Sequence, residues 1–375
     1  MHLTVSLAGS GYHPASWRVS RLPAVPNAAA FQAMARTAER GKLDAILLGL
    51  PVNDAAGSGK VNTMRLDPVP LLGSLIGVTR HIGLGASWTV DYTEPFNVAR
   101  VFATLDHLSY GRTAWIARMF DGEALAERFG RPNGMEDLAA YCERAGEFVD
   151  VVRKLLDSWE DEGFALDKAS GMFADPDRVH AINHAGRYFT VRGPLNVPRP
   201  PQGIPVLIIS DPATAAGRRF VAATADVILT DRASLPAAAA RYQELRALAA
   251  EQFRDAPLVL ANINVLLGET ETDARRRAAE LDAFCPRTPD GMCFAGTSEQ
   301  LVDLFVAWRD ACDGFNLLPA VLPDDLNLFA DAVVPLARRR GLFRSEYEGK
   351  TLRDHLGFAR PVSQYAGRAG EHSGS

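Results

Sequence analysis

The chain has 375 residues, of which 47% are hydrophobic and 23% are charged, and its formal net charge is −5. This acidic balance argues against a nucleic-acid partner, because nucleic-acid binders usually carry a basic patch. The apolar share is that of a globular protein, long enough for one large α/β domain or two smaller ones.

The four cysteines, Cys142, Cys285, Cys293 and Cys312, form no CxxC pair and have no histidine at zinc spacing. We therefore expect no metal site, no disulfide framework and a reducing compartment. The N-terminus lacks the charged region of a signal peptide, and no apolar run reaches the ~18 residues that a membrane span needs. These features favour a cytoplasmic protein.

Strand and helix signals alternate along the chain. Short apolar runs between turn residues predict strands at residues 3–7, 43–48, 82–86, 113–117, 205–209, 226–229, 258–267 and 315–318. Helical patterns follow at residues 28–40, 69–79, 95–107, 139–159, 213–223, 235–252, 271–284 and 299–312. This alternation predicts an α/β fold of the (β/α)8 TIM-barrel type, with its active site in the loops after the strands.

Two connections, at residues 50–67 and 160–204, are too long to be simple βα loops. Functional loops concentrate at one barrel face, so we expect lids or subunit contacts. The segment 160–204 should pack on the barrel or on a second subunit. We expect a single barrel domain over residues 1–358 and a flexible tail rich in Gly, Ser and Arg over residues 359–375.

Several segments resemble one enzyme family. They include HPASW (13–17), VTRHIGLGA (78–86), EPFNVARVFATLDHLSYGR (94–112) and DKASGMFADPDRVHAINHAGRYFTVRGPLNVPRPPQG (167–203). These segments are similar to the luciferase-like flavin monooxygenases, in the nitrilotriacetate and sulfone monooxygenase branch. The resemblance implies a barrel, usually a homodimer, which takes reduced FMN from a separate flavin reductase and inserts oxygen into small organic substrates. A helical insertion of that family is missing between residues 281 and 296.

The positions that hold flavin in the family carry other residues here. Leu50 stands where the family has an aspartate, Ile116 where it has an asparagine, and Asp137 where it has a histidine four residues before Tyr141. Residues 89–91 correspond to a hydroxyl-bearing turn. These replacements put flavin binding in question.

The loop after the strand at 205–209 differs most. The family holds the FMN phosphate there with a Gly and Ser turn at a helix N-terminus. In this chain Asp211 should repel a phosphate, and Pro212 lacks an N–H. Losing several charge-assisted hydrogen bonds, at ~1.5 to 3 kcal/mol each, would weaken binding by orders of magnitude. If FMN binds, Ser210, Thr214 and Arg218 are the candidate contacts.

Apolar replacements at the barrel mouth predict a hydrophobic pocket for a small organic ligand. The candidates for substrate binding are His13, Leu50, Trp88, Trp115, Ile116 and Phe120. Core packing is the alternative for the aromatic residues, and loop packing is the alternative for His13. Asp91, Asp137 and Tyr141 are the candidate catalytic residues, because a low-dielectric pocket can raise a carboxyl pKa and create a general acid or base. A merely solvated position is the alternative for Asp137 and Tyr141.

Two further patterns have simpler explanations. His180 and His184 have the i, i+4 spacing of zinc ligands, but the family carries this pair without metal. Residues 57–60 imitate the end of a phosphate loop, but Asp54 and Val61 break that pattern, so we expect a flexible loop.

These observations favour an enzyme of monooxygenase ancestry that has lost flavin and needs no cofactor. It would cyclise or isomerise an apolar small molecule, as in secondary metabolism. The alternative is a two-component monooxygenase that uses reduced FMN, and a third possibility is a non-catalytic barrel subunit. The first hypothesis predicts a colourless protein with no micromolar affinity for FMN.

Overall fold

The computed structural model describes residues 1–23, 27–50, 66–119, 138–286 and 291–366. All eight predicted strands are present in it. In chain order, the strands are β1 (His2–Leu7), β2 (Ala45–Leu48), β3 (Gly83–Thr89), β4 (Thr113–Arg118), β5 (Phe164–Asp167), β6 (Met172–Ala174), β7 (His184–Ala185), β8 (Thr190–Val191), β9 (Val206–Ser210), β10 (Val227–Thr230), β11 (Leu258–Leu267), β12 (Met292–Gly296) and β13 (Gly314–Pro319).

Nine of these strands form one sheet. Its order is β10-β9-β4-β3-β2-β1-β13-β11-β12, and β10 also pairs with β11. That last pairing closes a barrel of eight strands, and β12 is added beside β11. The register is parallel: Val5 of β1 lies beside Ile46 on one side and Leu317 on the other. The predicted TIM-barrel fold is confirmed.

All eight predicted helices are present as well. The helices are α1 (Ala28–Arg40), α2 (Pro68–Ile76), α3 (Pro95–Leu108), α4 (Leu138–Leu156), α5 (Ala215–Thr224), α6 (Leu235–Ala250), α7 (Glu271–Phe284), α8 (Ser298–Ala307), α9 (Asp324–Leu328), α10 (Val334–Arg339) and α11 (Leu352–His355). Side chains cap several of their N-termini. Asn27 accepts a hydrogen bond from the Ala30 N–H, and Thr297 and Gln300 form a capping box that begins α8.

The structure differs from the predicted elements in detail. Helix α4 ends at Leu156 rather than at 159, because Trp159 leaves the helix and forms a bridge with Val179. Strand β12 was not predicted, since its five residues lie in the short linker before α8. It pairs with the second half of β11, where Met292 lies beside Ile263.

The backbone separates into two compact units. Unit 1 comprises Met1–Ser87 and Leu207–Gly349, and unit 2 comprises Trp88–Val206 and Lys350–Ser375. The single-domain organisation expected from the sequence stays a prediction. Within the described residues, no helix combines the length and hydropathy needed to cross a membrane.

The long connection at residues 160–204 is ordered within unit 2. It contains two small antiparallel hairpins, β5-β6 and β7-β8. The Trp159 indole N–H donates to the Leu195 carbonyl at 2.8 Å. The Phe189 ring packs edge-on against Phe148 of α4, with ring centroids 5.6 Å apart. These contacts hold the segment against a helix of its own unit.

Part of the predicted tail also contacts this segment. Arg360 donates to both carboxylate oxygens of Asp161, at 2.6 and 2.5 Å. The Tyr365 ring stacks on His180 with ring centroids 3.8 Å apart. Residues 367–375 lie outside the described residues.

Candidate functional site

An apolar cleft opens in unit 1 at the C-terminal ends of β1 and β2, the end at which TIM barrels carry their active sites. It is narrow, with a cavity volume of about 30 Å³. Its lining includes Leu7, Phe31, Leu48, Leu50, Pro68 and Leu71. Leu50 is only 8% exposed, and the structure therefore places this predicted substrate-binding residue in the wall of a cleft.

The turn after β2 holds Leu50 in this position. Gly49 has a positive φ of +83°, and a Cβ there would lie 2.1 Å from Ser87 Oγ. The Ser87 hydroxyl donates to the Gly49 carbonyl at 3.0 Å. Only glycine adopts this conformation without strain or a clash, so the turn fixes where the cleft wall stands.

A charge cluster lies at the loop after β9, where the sequence resemblance places the FMN phosphate. The Asp211 side chain is 1% exposed. Arg241 Nη1 donates to both of its carboxylate oxygens at 2.6 Å, and Arg232 Nη2 donates to Oδ2 at 2.6 Å. Two guanidinium groups therefore neutralise this carboxylate. The expectation that Asp211 repels a phosphate is wrong.

The cluster continues onto α5 and α6. Arg218 Nε donates to Glu244 at 2.6 Å, and Arg241 Nε lies 3.0 Å from the other Glu244 oxygen. Three guanidinium groups therefore face the carboxylates of Asp211 and Glu244, and Asp231, which directly precedes Arg232, adds a third carboxylate. Arg232 Nε is buried and has no hydrogen-bond partner among the described residues. The cluster thus keeps an unused cationic donor, which suits an anion.

The N-terminus of α5 adds backbone donors beside this cluster. Thr214 caps the helix, since its hydroxyl oxygen accepts from the Gly217 N–H at 3.2 Å. The N–H groups of Ala215 and Ala216 belong to the first turn, which has no intrahelical acceptors. Ser210 ends β9 and is exposed. Helix N-termini of this kind suit phosphate groups, so the residues present fit the FMN phosphate.

A polar ladder crosses the apolar interior of unit 1. The Thr4 and Ser6 hydroxyls lie 2.9 and 3.2 Å from Asn316 Oδ1. Asn316 Nδ2 donates to Asn262 Oδ1 at 2.7 Å, and Asn262 Nδ2 donates to Asp231 Oδ1 at 2.9 Å. The ladder fixes the Asp231 carboxylate just after β10, next to Arg232. The sequence analysis missed it, although polar residues at alternate positions of β1 were a signal.

His13 lies in the interior of unit 1. It is 2% exposed, and its Nδ1 accepts from the Ala15 N–H at 3.1 Å. Its Nε2 therefore carries the proton that faces Asp282, at 3.1 Å. These contacts support the alternative of loop packing, and His13 is not among the residues that line the apolar cleft.

In unit 2, the predicted pocket residues of β3 and β4 contact an aromatic core. The Trp88 and Trp115 rings lie 6.2 and 6.1 Å from Phe102 of α3, and Trp115 lies 6.2 Å from Phe148. Trp115 is 4% exposed and its neighbour Ile116 is 1% exposed. Because successive strand residues point to opposite faces, Ile116 faces away from this aromatic packing.

The candidate catalytic residues of unit 2 are only partly described. Tyr141 is buried in the first turn of α4, with 4% exposure. On the same helix, Arg144 Nη1 lies 3.9 Å from Asp91 Oδ1. The sequence analysis missed Arg144, although its i+3 spacing from Tyr141 places it on the same helix face. Asp137 and Phe120 lie outside the described residues, and their roles stay predictions.

The two histidines at zinc spacing have separate acidic partners. His180 Nε2 lies 2.8 Å from Glu160, and His184 Nε2 lies 3.1 Å from Glu147. In the described part of the chain, no group of three or more His, Cys, Asp or Glu side chains could hold a metal ion. Residues 57–60 lie outside that part.

Comparisons with known proteins agree with this fold. The profile described as luciferase-like monooxygenase matches residues 4–312. The chain is 37% identical to N-acetyl-S-(2-succino)cysteine monooxygenase of Bacillus subtilis (strain 168), covering 97% of this chain and 98% of that protein. It is 34% identical to nitrilotriacetate monooxygenase component A of Aminobacter aminovorans, and the match covers 95% of this chain and 96% of that protein. The solved structure of EDTA monooxygenase from Chelativorans sp. BNC1 superposes with a TM-score of 0.85 at 30% identity. The superposition covers 96% of this chain and 98% of that one.

These similarities overturn the flavin-free hypothesis. Each of the three relatives is named a monooxygenase, and none is named a cyclase or an isomerase. The expectation of a cofactor-free cyclase or isomerase is therefore wrong, as is the expected absence of a flavin cofactor. One part of the argument for flavin loss, the repulsive charge of Asp211, also does not hold, because that charge is neutralised. The chain belongs to the luciferase-like monooxygenase family, in the branch that includes nitrilotriacetate monooxygenase.

Proposed function

We propose that the protein is the oxygenase of a two-component system and takes reduced FMN from a separate flavin reductase. Whole-length identity of 37% and 34% to two monooxygenases supports this reaction class. The observation that carries the proposal is the charge cluster, in which Arg232 Nε has no hydrogen-bond partner among the described residues and lies by the loop expected to hold the phosphate. The sequence analysis gave this two-component monooxygenase as its alternative hypothesis.

The phosphate would be held by residues from two adjacent βα loops. Arg232 would supply its buried Nε, and the first turn of α5, after Thr214, would supply backbone N–H groups. Ser210 and Arg218 extend the same site. Asp211 acts as a positioning residue, because its two hydrogen-bonded arginines are held in place by it. In this chain guanidinium groups would take the place of the serine hydroxyls that hold the phosphate in the family. Guanidinium groups form stronger hydrogen bonds to phosphate than neutral groups do.

The reaction needs two electrons and O2. When reduced FMN is bound, it supplies those electrons, so that one oxygen atom enters the substrate and the other leaves as water. The apolar side chains around Leu50 would exclude water from the reacting atoms. In unit 2, Tyr141 is the candidate proton donor, with Asp91 held near Arg144. We expect a homodimer in the cytoplasm, where the free cysteines stay reduced.

The test compares FMN with riboflavin, which differs by the phosphate alone. Fluorescence quenching should give a dissociation constant for FMN below ~10 μM in the wild type. Replacing Arg232 with Gln should weaken FMN binding about 10- to 100-fold, which corresponds to one charge-assisted hydrogen bond of about 1.5 to 3 kcal/mol. Binding of riboflavin should not change.

The matched control is Arg219→Gln on the same helix as Arg218. The Arg219 side chain is 69% exposed and faces Glu251 at 3.7 Å, so its loss should leave both affinities unchanged. Thermal unfolding checks that both variants fold. Failure of the wild type to bind either flavin would refute the proposed function. Equal loss of FMN and riboflavin affinity in Arg232→Gln would refute the phosphate role.

A further inference from the structure

The polar ladder ends in a carboxylate at the mouth of the barrel. Asp231 directly follows β10 and is exposed, and its Oδ1 accepts from Asn262 Nδ2 at 2.9 Å. The strand registers place Asn262 beside Asn316, and Asn316 beside Thr4. These three side chains behind Asp231 are 8%, 0% and 2% exposed. A row of buried polar groups therefore fixes the orientation of one exposed carboxylate.

The ladder faces the inside of the barrel. Phe315 of β13 packs on Phe305 of α8, with ring centroids 4.5 Å apart, so this side of β13 faces the helices. Successive residues of a strand point to opposite faces, and Asn316 therefore points inward. Asn262 and Asp231 follow on the same side, because hydrogen bonds connect them to Asn316. Asp231 thus belongs to the inner rim of the mouth, where TIM barrels bind their ligands.

Asp231 is also the direct neighbour of the residue assigned to the FMN phosphate. Arg232 carries the buried Nε of that site, and its Nη2 donates to Asp211 in the loop after β9. The two neighbours therefore turn to different sides, Arg232 toward the phosphate loop and Asp231 toward the inside of the barrel. In FMN, the ribityl chain joins the phosphate to the flavin ring. A flavin held by its phosphate at Arg232, with its ring at the barrel mouth, would bring the ribityl chain to Asp231.

We propose that Asp231 binds the ribityl hydroxyl groups of FMN, and this inference rests on the proposed function. An ionised carboxylate repels phosphate, but it accepts strong hydrogen bonds from hydroxyl groups. It has about four acceptor positions, of which the Asn262 amide uses one. Asn262 and Asn316 are positioning residues, since they act only through Asp231. The other donor of the flavin is the N–H of its pyrimidine ring, and a ligand without the ribityl chain distinguishes the two.

The experiment compares riboflavin with lumiflavin, which has the same ring and a methyl group in place of the ribityl chain. Protein is titrated into dilute flavin, and fluorescence quenching gives the dissociation constants. Asp231→Ala should weaken riboflavin binding about 10- to 100-fold and leave lumiflavin binding within about threefold. FMN is a poorer probe for this variant, because removing the carboxylate also removes its repulsion of the phosphate. Unchanged riboflavin binding, or an equal loss for lumiflavin, would overturn the proposal.

Two further variants complete the test. Asp231→Asn keeps an oxygen for Asn262 and removes the charge, so riboflavin binding should weaken about three- to tenfold. This variant decides if thermal unfolding shows that Asp231→Ala does not fold. The matched control is Asp255→Ala, at an exposed residue before β11 and thus at the opposite end of that strand, which should change neither affinity.

The outcome also separates this inference from the proposed function. Arg232→Gln should weaken the binding of FMN alone, whereas Asp231→Ala should weaken the binding of riboflavin. Failure of the wild type to bind any flavin would refute the proposed function and this inference together. Flavin binding by the wild type, with a riboflavin affinity that a folded Asp231→Ala variant retains, would refute this inference alone.

Discussion

Asp106 gives the sharpest prediction of pH dependence. This residue of α3 is fully buried, and it accepts hydrogen bonds from Gln202 Nε2 at 2.6 Å, from the Gln202 N–H at 3.2 Å and from the Thr113 N–H at 3.1 Å. Burial outweighs these donors and raises the pKa of Asp106 from 3.8 to about 6. Between these two values the folded protein keeps a proton that the unfolded chain has lost.

The sign and size of the effect follow from that difference. Because the folded state binds more protons, the free energy of unfolding should fall as pH rises from about 4 to about 6 and stay flat above. A shift of about two pKa units corresponds to about 3 kcal/mol. Asp106→Asn removes the titrating carboxyl group. Its amide N–H has no acceptor at this place, and this lowers the free energy of unfolding by an amount that does not depend on pH. Relative to this variant, the wild type should therefore lose about 3 kcal/mol between pH 4 and pH 7.

Urea unfolding followed by tryptophan fluorescence, at a series of pH values, measures this difference. The control is Asp310→Asn, whose side chain is 91% exposed, and it shows what the same substitution does at a surface position. A stability difference between wild type and Asp106→Asn that is the same at pH 4 and pH 7 would refute the reasoning.

Two further predictions concern buried polar groups. Arg199 is 2% exposed and pairs with Asp157 at 2.6 Å, so Arg199→Met should cost about 3 to 5 kcal/mol of unfolding free energy, whereas Arg187→Met at an exposed ion pair should cost less than about 1 kcal/mol. Urea unfolding of the two variants checks this contrast, and equal costs would contradict it. Asn316→Leu should cost about 1 to 3 kcal/mol, because it leaves other groups of the polar ladder unpaired. Stability equal to the wild type in the same assay would show that the ladder contributes nothing.

Most of the fold could be predicted from periodicity alone. The barrel strands are apolar runs between turn residues, and the helices carry one apolar face, so local sequence determines both. The two predictions that failed concern single elements whose pairing partners lie elsewhere in the chain. Strand β12 has only five residues and depends on pairing with β11, and α4 stops early because Trp159 finds a partner at Val179. Neither partner is visible in the sequence around the element.

The site was less predictable because its contacts are distant in sequence. Leu50 could be placed at the barrel mouth since it directly follows a predicted strand. The polar ladder could not be found this way, because Thr4 and Asn316 are 312 residues apart. Trp115 shows a related difficulty: the same strand position can face a pocket or the surrounding helices, and only the Phe102 and Phe148 rings show which face it occupies.

The Asp211 carboxylate shows why the argument for flavin loss failed. A carboxylate in a phosphate loop is repulsive only if its charge is unpaired, and its partners Arg232 and Arg241 lie 21 and 30 residues away, after β10 and on α6. Once they are included, the Asp211 charge is paired. Replacement of individual family residues therefore indicates which atoms can contact a ligand. It does not indicate whether the ligand binds, because that depends on the summed charge of every element that meets at the site.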